Sequence, residues 1–250
     1  MSEQRTALIV GAASGMGAAT ARVLGRDGYA LALADRDAAG VQRVAQEIEG
    51  EHGGPVAHFA LDITDEAAIQ RVFDAAVAAL GGRLDAMAVP AGITDSTPFF
   101  DLTVARWREI SEINVLGTFL CVREAARRMQ PGGRIVTVAS VAGKRGGGLF
   151  GTAAYSASKG AVLALSRNAA RALADRGIAV NCVVPAATAT PMIASVLDDP
   201  ESRAKLMETN LLHRPADPSE LGEAIAWLLS PKSSYVDGES LTVDGGLMLD

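Results

Sequence analysis

The sequence predicts a single α/β domain over residues 1–250, built as a doubly wound parallel sheet with helices on both faces. Short apolar runs alternate along the chain with longer amphipathic segments, as strands alternate with helices in such folds. The runs are apolar throughout rather than at every second position, which is typical of strands buried on both faces. Hydrophobic residues make up 49% of the chain but aromatic residues only 4%, so the core must consist mainly of Ala, Val, Leu and Ile.

The elements follow in a regular order. The first strand, residues 6–10, leads into glycine-rich turn residues, and the small residues behind them predict a helix to about Asp27. The next apolar run, 29–34, stops at Asp35 and precedes a charged helix to about Glu51. The same alternation predicts strands near 56–61, 84–89, 134–139, 178–183 and 240–243, and helices near 65–80, 104–129, 153–175 and 218–229. Right-handed crossovers between these units give a parallel sheet, without repeats or domain linkers.

Charge and composition exclude several classes of protein. The formal net charge is −6, from 23 basic and 29 acidic residues, and no basic cluster suited to nucleic acid is present. The first strand begins at Thr6, which leaves no room for a signal peptide, and no apolar run approaches the ~18 residues of a membrane span. We therefore expect a cytoplasmic protein that binds neither nucleic acid nor membranes.

No residue pattern predicts a metal site. The two cysteines, Cys121 and Cys182, lie in apolar stretches and are expected to be reduced, buried thiols. The three histidines, His52, His58 and His213, share no ligand spacing and are expected to be surface or structural residues.

A glycine-rich segment follows the first strand and opens a helix. It reads Gly11-Ala-Ala-Ser14-Gly15-Met16-Gly17, and such glycines let backbone N–H groups approach a pyrophosphate at the positive end of the helix. The spacing is not the usual G-x-G-x-x-G, and a tight strand-to-helix turn without any ligand would also favour glycine. The segment alone therefore favours phosphate binding without excluding a structural turn.

Asp35 strengthens the interpretation of the glycine turn as a dinucleotide site. It ends the second strand 18 residues after Gly17, near the ~20-residue separation expected of a ribose-binding acid. Its carboxylate could accept both adenosine ribose hydroxyls and would repel a 2′-phosphate, although Asp is also a common helix N-cap. The adjacent Arg36 could hold a 2′-phosphate instead. With Asp35 at the ribose position, NAD is favoured over NADP.

A second set of residues suggests acid–base chemistry. Tyr155 and Lys159 lie four residues apart on a predicted helix and so share a face, where a nearby ammonium would lower the phenol pKa from its usual ~10. Such a pair can also simply pack on a helix surface. Ser140 ends a strand at the same sheet edge as Asp35. Asn114 lies on an otherwise apolar helical stripe and needs a partner, either structural or in a site.

Taken together, these motifs make the sequence resemble the short-chain dehydrogenase/reductase family over essentially its whole length. The matching stretches, specific through their order and spacing, are Gly11–Gly17, Leu61-Asp62, Ala91-Gly92, Ile113–Gly117, Val138–Ser140, Tyr155–Lys159, Pro185–Thr190 and Val243–Gly246. The resemblance implies a Rossmann-type dinucleotide fold and a catalytic tetrad of Asn114, Ser140, Tyr155 and Lys159. In that family the tyrosine exchanges the proton, and the lysine lowers its pKa and binds the nicotinamide ribose. The serine binds the substrate oxygen, and the asparagine helps hold a relay water.

The same resemblance extends the cofactor contacts. Asp62 is expected to reach the adenine, while Thr190 and the backbone near Thr188 are expected to hold the carboxamide. The full set of predicted cofactor-binding residues is Gly11, Ser14, Gly15, Met16, Gly17, Asp35, Arg36, Asp62, Ile63, Ala91, Gly92, Tyr155, Lys159, Pro185, Thr188 and Thr190. Pro90 replaces the Asn common in the family, which removes a side-chain amide and an N–H but keeps the carbonyl. Ala186 replaces a frequent Gly, and the Ser140-to-Tyr155 segment is slightly long and contains Gly146–Gly148.

The resemblance predicts an NAD(H)-dependent oxidoreductase that interconverts a secondary alcohol and a ketone. A sugar or polyol is ranked slightly ahead of a 3-oxoacyl thioester or a hydroxysteroid, because Gly146–Gly148 and nearby hydroxyl residues offer polar partners. The substrate should lie between the 143–152 loop and a lid at about 186–215. Counter-charges for a charged substrate could come from Lys144, Arg145 or Arg203.

The sequence is also compatible with two other classes of protein, and it predicts an oligomer. A glycine-rich loop on an α/β sheet also suits a methyltransferase, which would have no use for the Tyr, Lys and Ser set. A dinucleotide-binding regulator without activity is the second alternative. Small residues on several faces of the helices that start near Val104 and Ala153, together with the family resemblance, predict a homotetramer or homodimer.

Overall fold

A parallel sheet of seven strands forms the centre of this computed structural model, which describes residues 4–147 and 152–249. The strands are β1 Thr6–Val10, β2 Ala30–Asp35, β3 Ala57–Ala60, β4 Ala86–Val89, β5 Arg134–Val138, β6 Ala179–Pro185 and β7 Ser240–Val243. Their order in the sheet is β3-β2-β1-β4-β5-β6-β7, and every neighbouring pair is parallel. The predicted doubly wound α/β fold is therefore confirmed.

Ten α-helices surround the sheet in the described part of the chain. They are α1 Gly15–Arg26, α2 Ala38–His52, α3 Glu66–Ala79, α4 Val104–Ser111, α5 Thr118–Arg128, α6 Val141–Arg145, α7 Ala153–Leu173, α8 Ala194–Leu197, α9 Pro200–Glu208 and α10 Pro218–Leu229. Single 3₁₀ turns cover Ala174–Arg176, Pro191–Ile193 and Pro231–Ser233.

Both faces of the sheet are covered, which explains the continuous apolar runs of the sequence. In β1, Ile9 packs into a core shared with α1, α2 and α10, where Leu24 is fully buried. The neighbouring Leu8 points to the opposite face and packs with α3, α5 and α7, where Phe73 is fully buried. Successive strand residues face opposite sides, so a strand between two helical layers needs apolar residues at every position.

The strand order changes direction between β1 and β4. From β1 the chain builds outward through β2 and β3, and then crosses back to place β4 on the other side. The strand ends remain close, because the Ala91 N–H donates to the Val10 carbonyl at 3.2 Å. Doubly wound sheets bind their ligands in the crevice outside the carboxyl ends of the strands at such a point.

The predicted helix 104–129 forms, but with an interruption. A π-helical turn, Glu112–Gly117, separates α4 from α5 and contains Asn114. The Asn114 carbonyl accepts a hydrogen bond from the Thr118 hydroxyl at 2.8 Å, and its side chain bonds to the Ile93 backbone. Such turns are rare and often occur at functional sites.

Two predicted loops contain helices. The segment predicted as the 143–152 loop overlaps α6, while residues 148–151 lie outside the described residues. The segment predicted as a lid at 186–215 contains a 3₁₀ turn, α8 and α9. Asp199 caps α9 through a 2.9 Å bond from the Ser202 N–H, and Pro200 starts it, a combination favoured at helix N-termini.

Candidate active site

A crevice of about 480 Å³ opens at the carboxyl edge of β1, β2 and β4; we call it the glycine-turn crevice. Twelve of the sixteen predicted cofactor-binding residues line it. They are Gly11, Ser14, Gly15, Met16, Gly17, Asp35, Arg36, Asp62, Ile63, Ala91, Gly92 and Thr190. Residues that the sequence separates by up to 179 positions therefore share one site, because the parallel strands all end at this edge.

The glycines of the turn are required by close backbone packing. A Cβ on Gly17 would lie 1.9 Å from the Gly11 carbonyl oxygen, and a Cβ on Gly11 would lie 2.6 Å from the Ala91 nitrogen. Gly11 and Gly15 also adopt positive φ angles, +95° and +54°, which L side chains rarely adopt. A side chain at these positions would displace the turn that forms the floor of the crevice.

Asp35 connects the turn to the second strand. Its two carboxylate oxygens accept from the Ala13 N–H at 3.0 Å and from the Asp37 N–H at 2.9 Å. A carboxylate has about four acceptor sites, so two bonds leave capacity for the hydroxyls of a ribose. The N-cap of α2 is Asp37, which accepts from Gly40. Asp35 is thus not the helix cap, the structural role considered from the sequence.

Asp62 and Ile63 border the same crevice on the far side. Hydrogen bonds from the Thr64 N–H (2.9 Å) and hydroxyl (2.8 Å) lower the pKa of Asp62, and the charge of Arg36 lowers it further. The Asp62 carboxylate is therefore ionised at neutral pH. Ile63 is buried, and a Cβ on Gly117 would come within 2.7 Å of it, which closes the packing behind the crevice.

These features fit a dinucleotide. The helix α1 starts at Gly15 and points its N-terminus at the crevice, where its unpaired N–H groups favour phosphate. The glycine turn has no room for a Cβ, so a phosphate could approach its backbone closely. The Asp35 carboxylate has acceptor capacity left for ribose hydroxyls.

A second cavity of about 300 Å³ adjoins the crevice; we call it the Tyr155 cavity. Ser140, Tyr155 and Lys159 line it, and so do Pro185, Thr188 and Thr190. The two spaces meet at residues that line both of them: Met16, Pro90, Gly92, Thr190 and Met192. A ligand reaching from the glycine turn past Gly92 would therefore present its far end to Tyr155.

Ser140 and Tyr155 line the same cavity, and each affects the other's chemistry. Burial raises the pKa of the Tyr155 phenol, and the hydrogen bond from Ser140 acts in the opposite direction. The Ser140 oxygen also accepts from the Ala142 N–H at 3.1 Å, which caps α6. In this bond the Ser140 oxygen is the acceptor, so its hydroxyl proton remains available for donation.

Lys159 is buried beneath Tyr155. Its Nζ lies 5.8 Å from the centroid of the Tyr155 ring and donates to the Val138 carbonyl at 2.9 Å. Burial lowers the pKa of Lys159 to about 8, since desolvation disfavours its charged form. The positive charge expected beside the phenol is therefore present at neutral pH and is lost in the mildly alkaline range.

Asn114 is fully buried and completely bonded. Its amide donates to the Ile93 carbonyl at 2.9 Å and to the Ser158 hydroxyl at 3.0 Å, and its oxygen accepts from the Ile93 N–H at 2.9 Å. Ser158 in turn donates to the Tyr155 carbonyl at 2.7 Å. Ser158 was not among the predicted site residues, although it stands within the Tyr155–Lys159 stretch. Asn114 is thus linked to the tyrosine helix by one hydroxyl.

Gly92 lies against two of these groups. A Cβ on Gly92 would lie 3.0 Å from the Asn114 Oδ1 and 3.3 Å from the Lys159 Nζ. Only a residue without a side chain fits at this point without forcing one of the two groups to move. Of the four residues predicted as a tetrad, Ser140, Tyr155 and Lys159 line the Tyr155 cavity, whereas Asn114 lies buried next to Gly92 and does not line it.

A buried carboxylate that the sequence analysis did not single out holds the start of the tyrosine helix. Asp95 accepts from the Arg106 guanidinium at 3.0 Å and from the Thr152 hydroxyl at 2.8 Å, and these bonds lower its pKa despite its burial. Thr152 immediately precedes α7, so Asp95 fixes the first helical turn, which carries Tyr155. The three residues are distant in sequence, and no local pattern joins them.

Other predicted features lie elsewhere. Cys121 and Cys182 are buried and free, and the three histidines do not come together. Within residues 4–147 and 152–249, no group of three or more His, Cys, Asp or Glu side chains is placed to hold a metal ion. None of the described helices is both long enough and apolar enough to cross a membrane.

Comparison with known proteins identifies the family. The profile described as enoyl-(acyl carrier protein) reductase matches residues 11–248. Among solved structures, a dehydrogenase/reductase from Sinorhizobium meliloti superposes with a TM-score of 0.91 at 37% identity, covering 97% of this chain and 94% of that one. The chain belongs to the short-chain dehydrogenase/reductase family of oxidoreductases, as the sequence motifs implied.

Characterised relatives cover the whole domain. Cis-4-hydroxycyclohexanecarboxylate dehydrogenase of Sinomonas cyclohexanicum and cyclopentanol dehydrogenase of Comamonas testosteroni are each 39% identical, over 97% of this chain and 96% of theirs. D-threitol dehydrogenase of Mycolicibacterium smegmatis is 36% identical, over 97% of this chain and 92% of its own. By name, these relatives act on cyclic alcohols and on a polyol.

Proposed function

We propose that the protein interconverts a cyclic secondary alcohol and its ketone, with NAD(H) as the hydride carrier and Tyr155 as the general acid and base. The observation that carries this proposal is the placement of Ser140, Tyr155 and Lys159 in one cavity that continues into the glycine-turn crevice. A regulator that only binds a dinucleotide would have no use for this second group of residues, and neither would a methyltransferase.

The proton step uses two hydroxyl groups that line the same cavity. NAD(H), when bound, would supply the hydride chemistry at the carbonyl or alcohol carbon. In reduction, Tyr155 donates its phenol proton to the carbonyl oxygen, and the Ser140 hydroxyl donates a hydrogen bond to the same oxygen. In oxidation, the Tyr155 phenolate accepts the proton from the alcohol. No metal is required, since the two hydroxyls polarise and protonate the oxygen.

Lys159 and Asn114 support this step from below. The ammonium of Lys159, 5.8 Å from the phenol ring, favours the phenolate that forms when Tyr155 gives up its proton. Asn114, through Ser158, holds the backbone of the helix turn that carries Tyr155. By family resemblance Lys159 also binds the nicotinamide ribose, and Asn114 contributes to a water-filled proton relay.

The preference for NAD rests on Asp35. Its carboxylate lines the crevice at the end of β2 with acceptor sites free for two ribose hydroxyls. A 2′-phosphate at this place would meet a negative charge, and Arg36 alone would have to compensate for it.

The lining of the Tyr155 cavity favours an alicyclic substrate over a polyol. Apart from the proposed catalytic group, its described wall is mainly apolar, with Val141, Met192, Ile193, Leu206 and Leu247 among its residues. This reverses the slight preference for a sugar or polyol that Gly146–Gly148 suggested, of which Gly148 lies outside the described residues. A ring with one secondary hydroxyl would bury its carbon atoms against this wall.

We further propose that residues 186–215 act as a lid and that the enzyme is a homotetramer or homodimer. Met192, Ile193 and Leu206 of this segment line the cavity, so its movement would open or close the substrate space. On the helix α4–α5, Trp107, Leu116 and Phe119 are at least 40% exposed, which is unusual for large apolar side chains on neighbouring turns. Light scattering at micromolar concentration should therefore give a mass above 25.8 kDa.

A substrate panel tests the reaction. NAD reduction is measured with cyclopentanol, cyclohexanol and D-threitol, and NADH oxidation with an acetoacetyl thioester and a steroid ketone. We expect the cyclic alcohols to give the highest kcat/KM, and Ser140→Ala to lower kcat for each substrate that is used. Turnover of the thioester alone would show that the substrate is an acyl thioester and not a cyclic alcohol. Turnover of none of the five would favour the regulator.

A further inference from the structure

Arg145 is a cation of the Tyr155 cavity that the proposed reaction does not use. It ends α6, the short helix that begins immediately after Ser140, and it lines the cavity together with Ser140 and Tyr155. Its side chain is exposed and makes no hydrogen bond or ion pair with any residue that the structure describes. An arginine that faces a substrate space without a partner is available to bind a substrate group.

The charge of the cavity is unusual for this protein. The chain as a whole carries a formal charge of −6, yet none of the described residues lining the Tyr155 cavity is an aspartate or a glutamate. The ionisable groups of this wall are Arg145, Lys159 and Tyr155. Lys159 is buried under the tyrosine, so Arg145 is the cation that a substrate could contact away from the reacting carbon.

The other two cations that the sequence suggested are less suitable. Lys144 precedes Arg145 on the same helix, but its Nζ donates to the Thr242 hydroxyl at 2.8 Å. Arg203 lies on α9 and does not line the cavity. The structure therefore singles out Arg145 among the three candidates.

We propose that the natural substrate is a cyclic alcohol or ketone that carries a carboxylate away from the reacting carbon, and that Arg145 binds this carboxylate. This inference rests on the proposed function, whose substrate class it narrows. The planar guanidinium donates two parallel hydrogen bonds to a carboxylate, while the apolar wall contacts the ring between the two polar ends. A phosphate dianion would require more positive charge than one arginine supplies, so a single carboxylate fits better.

The test compares ligands that differ only in charge. Cyclohexanecarboxylate and cyclohexanecarboxamide are titrated by calorimetry into the wild type, Arg145→Gln and Lys144→Gln, each with and without NADH. We expect the wild type to bind the carboxylate about tenfold more tightly than the carboxamide, an effect that solvent at the exposed arginine limits. Arg145→Gln should remove this difference, and Lys144→Gln, which changes the same charge one residue away, should keep it.

Turnover gives the second measurement. The wild type should oxidise 4-hydroxycyclohexanecarboxylate with a higher kcat/KM than 4-hydroxycyclohexanecarboxamide, and Arg145→Gln should lower the first value more than the second. Equal use or equal binding of the charged and uncharged ligands by the wild type would overturn the inference and leave the proposed function standing. Carboxylate binding that depends on Arg145, without turnover of either alcohol, would support the anion site and contradict the proposed reaction.

Discussion

The two cavities at the carboxyl edge of the sheet differ in the charge of their walls. The acidic residues lining the glycine-turn crevice are Asp35, Asp62, Glu109 and Glu112, and its described cation is Arg36. The adjoining Tyr155 cavity has Arg145 and Lys159 and no described acid. At the same sheet edge, a cofactor in the crevice would therefore meet mainly carboxylates, and a substrate in the Tyr155 cavity would meet cations.

The different charges of the two walls suit different tasks, cofactor binding in the crevice and proton transfer in the Tyr155 cavity. In the crevice, Asp35 and Asp62 are held by backbone N–H groups, so the position of their charge is set by the turns around them. In the Tyr155 cavity, burial moves the pKa of Lys159 to about 8 and raises that of Tyr155. We therefore expect substitutions in the crevice to change which cofactor binds, and substitutions in the cavity to change the rate.

The largest expected effect separates the two regions directly. Tyr155→Phe removes the phenol hydroxyl but keeps the ring, so kcat should fall by about 10²- to 10⁴-fold, the usual contribution of a general acid. NADH binding, followed by fluorescence, should persist because the glycine-turn crevice is unchanged. Tyr235→Phe, at a fully exposed tyrosine, is the matched control and should behave as wild type. Near-native turnover by Tyr155→Phe would contradict the mechanism.

A smaller effect is expected on the crevice side. Asp35→Asn removes the negative charge at the proposed ribose site, so the ratio of NADPH to NADH kcat/KM should rise at least about fivefold, since close charges in proteins interact by ~1–4 kcal/mol. Asparagine has one carbonyl oxygen and so retains one of the two backbone bonds that Asp35 makes, whereas alanine would lose both. Arg36 would then favour the phosphate.

Asp37→Asn is the control for this experiment. It removes the same charge two residues away, and its remaining oxygen can still cap α2 at Gly40. It should leave the cofactor ratio unchanged. A wild type that uses NADPH with the higher kcat/KM would show that Asp35 does not select NAD.

The elements around the crevice could be predicted from sequence because their determinants are local. Strand, glycine turn and helix follow one another within residues 6–26, and Asp35 stands at a strand end that the apolar run already marks. At one bound that differs, a side-chain contact replaces a ladder bond. The strand predicted from residue 84 starts at Ala86, and the Asp85 N–H before it donates to the Thr6 hydroxyl at 3.0 Å instead of to a backbone carbonyl.

The elements around the Tyr155 cavity could be predicted only in part. The helices α6 and α8 have five and four residues, too few to show helical periodicity, and they lie in segments predicted as loops. The π-helical turn at Asn114 depends on a two-way bond with Ile93, 21 residues away. The bond from Asp95 to Thr152 spans 57 residues. Contacts of this range leave no local pattern in a single sequence.

The smallest expected effect is a pH dependence that only the Tyr155 cavity should show. Lys159 is protonated below its pKa of about 8, and its charge then helps Tyr155 release its proton to a ketone. Above that pH the ammonium is lost, so kcat for ketone reduction should decline several-fold between about pH 7 and 9.

The variant Lys159→Arg tests whether this lysine is the titrating group. A guanidinium keeps its charge throughout this range, so the decline of the reduction rate near pH 8 should disappear even where the larger side chain lowers the rate itself. The ionised Asp62, whose pKa is lowered, cannot produce a change near pH 8. If Lys159→Arg kept the wild-type pH profile, another group would cause the decline. The Tyr155 cavity would then not differ from the crevice by having a lysine that loses its charge near pH 8.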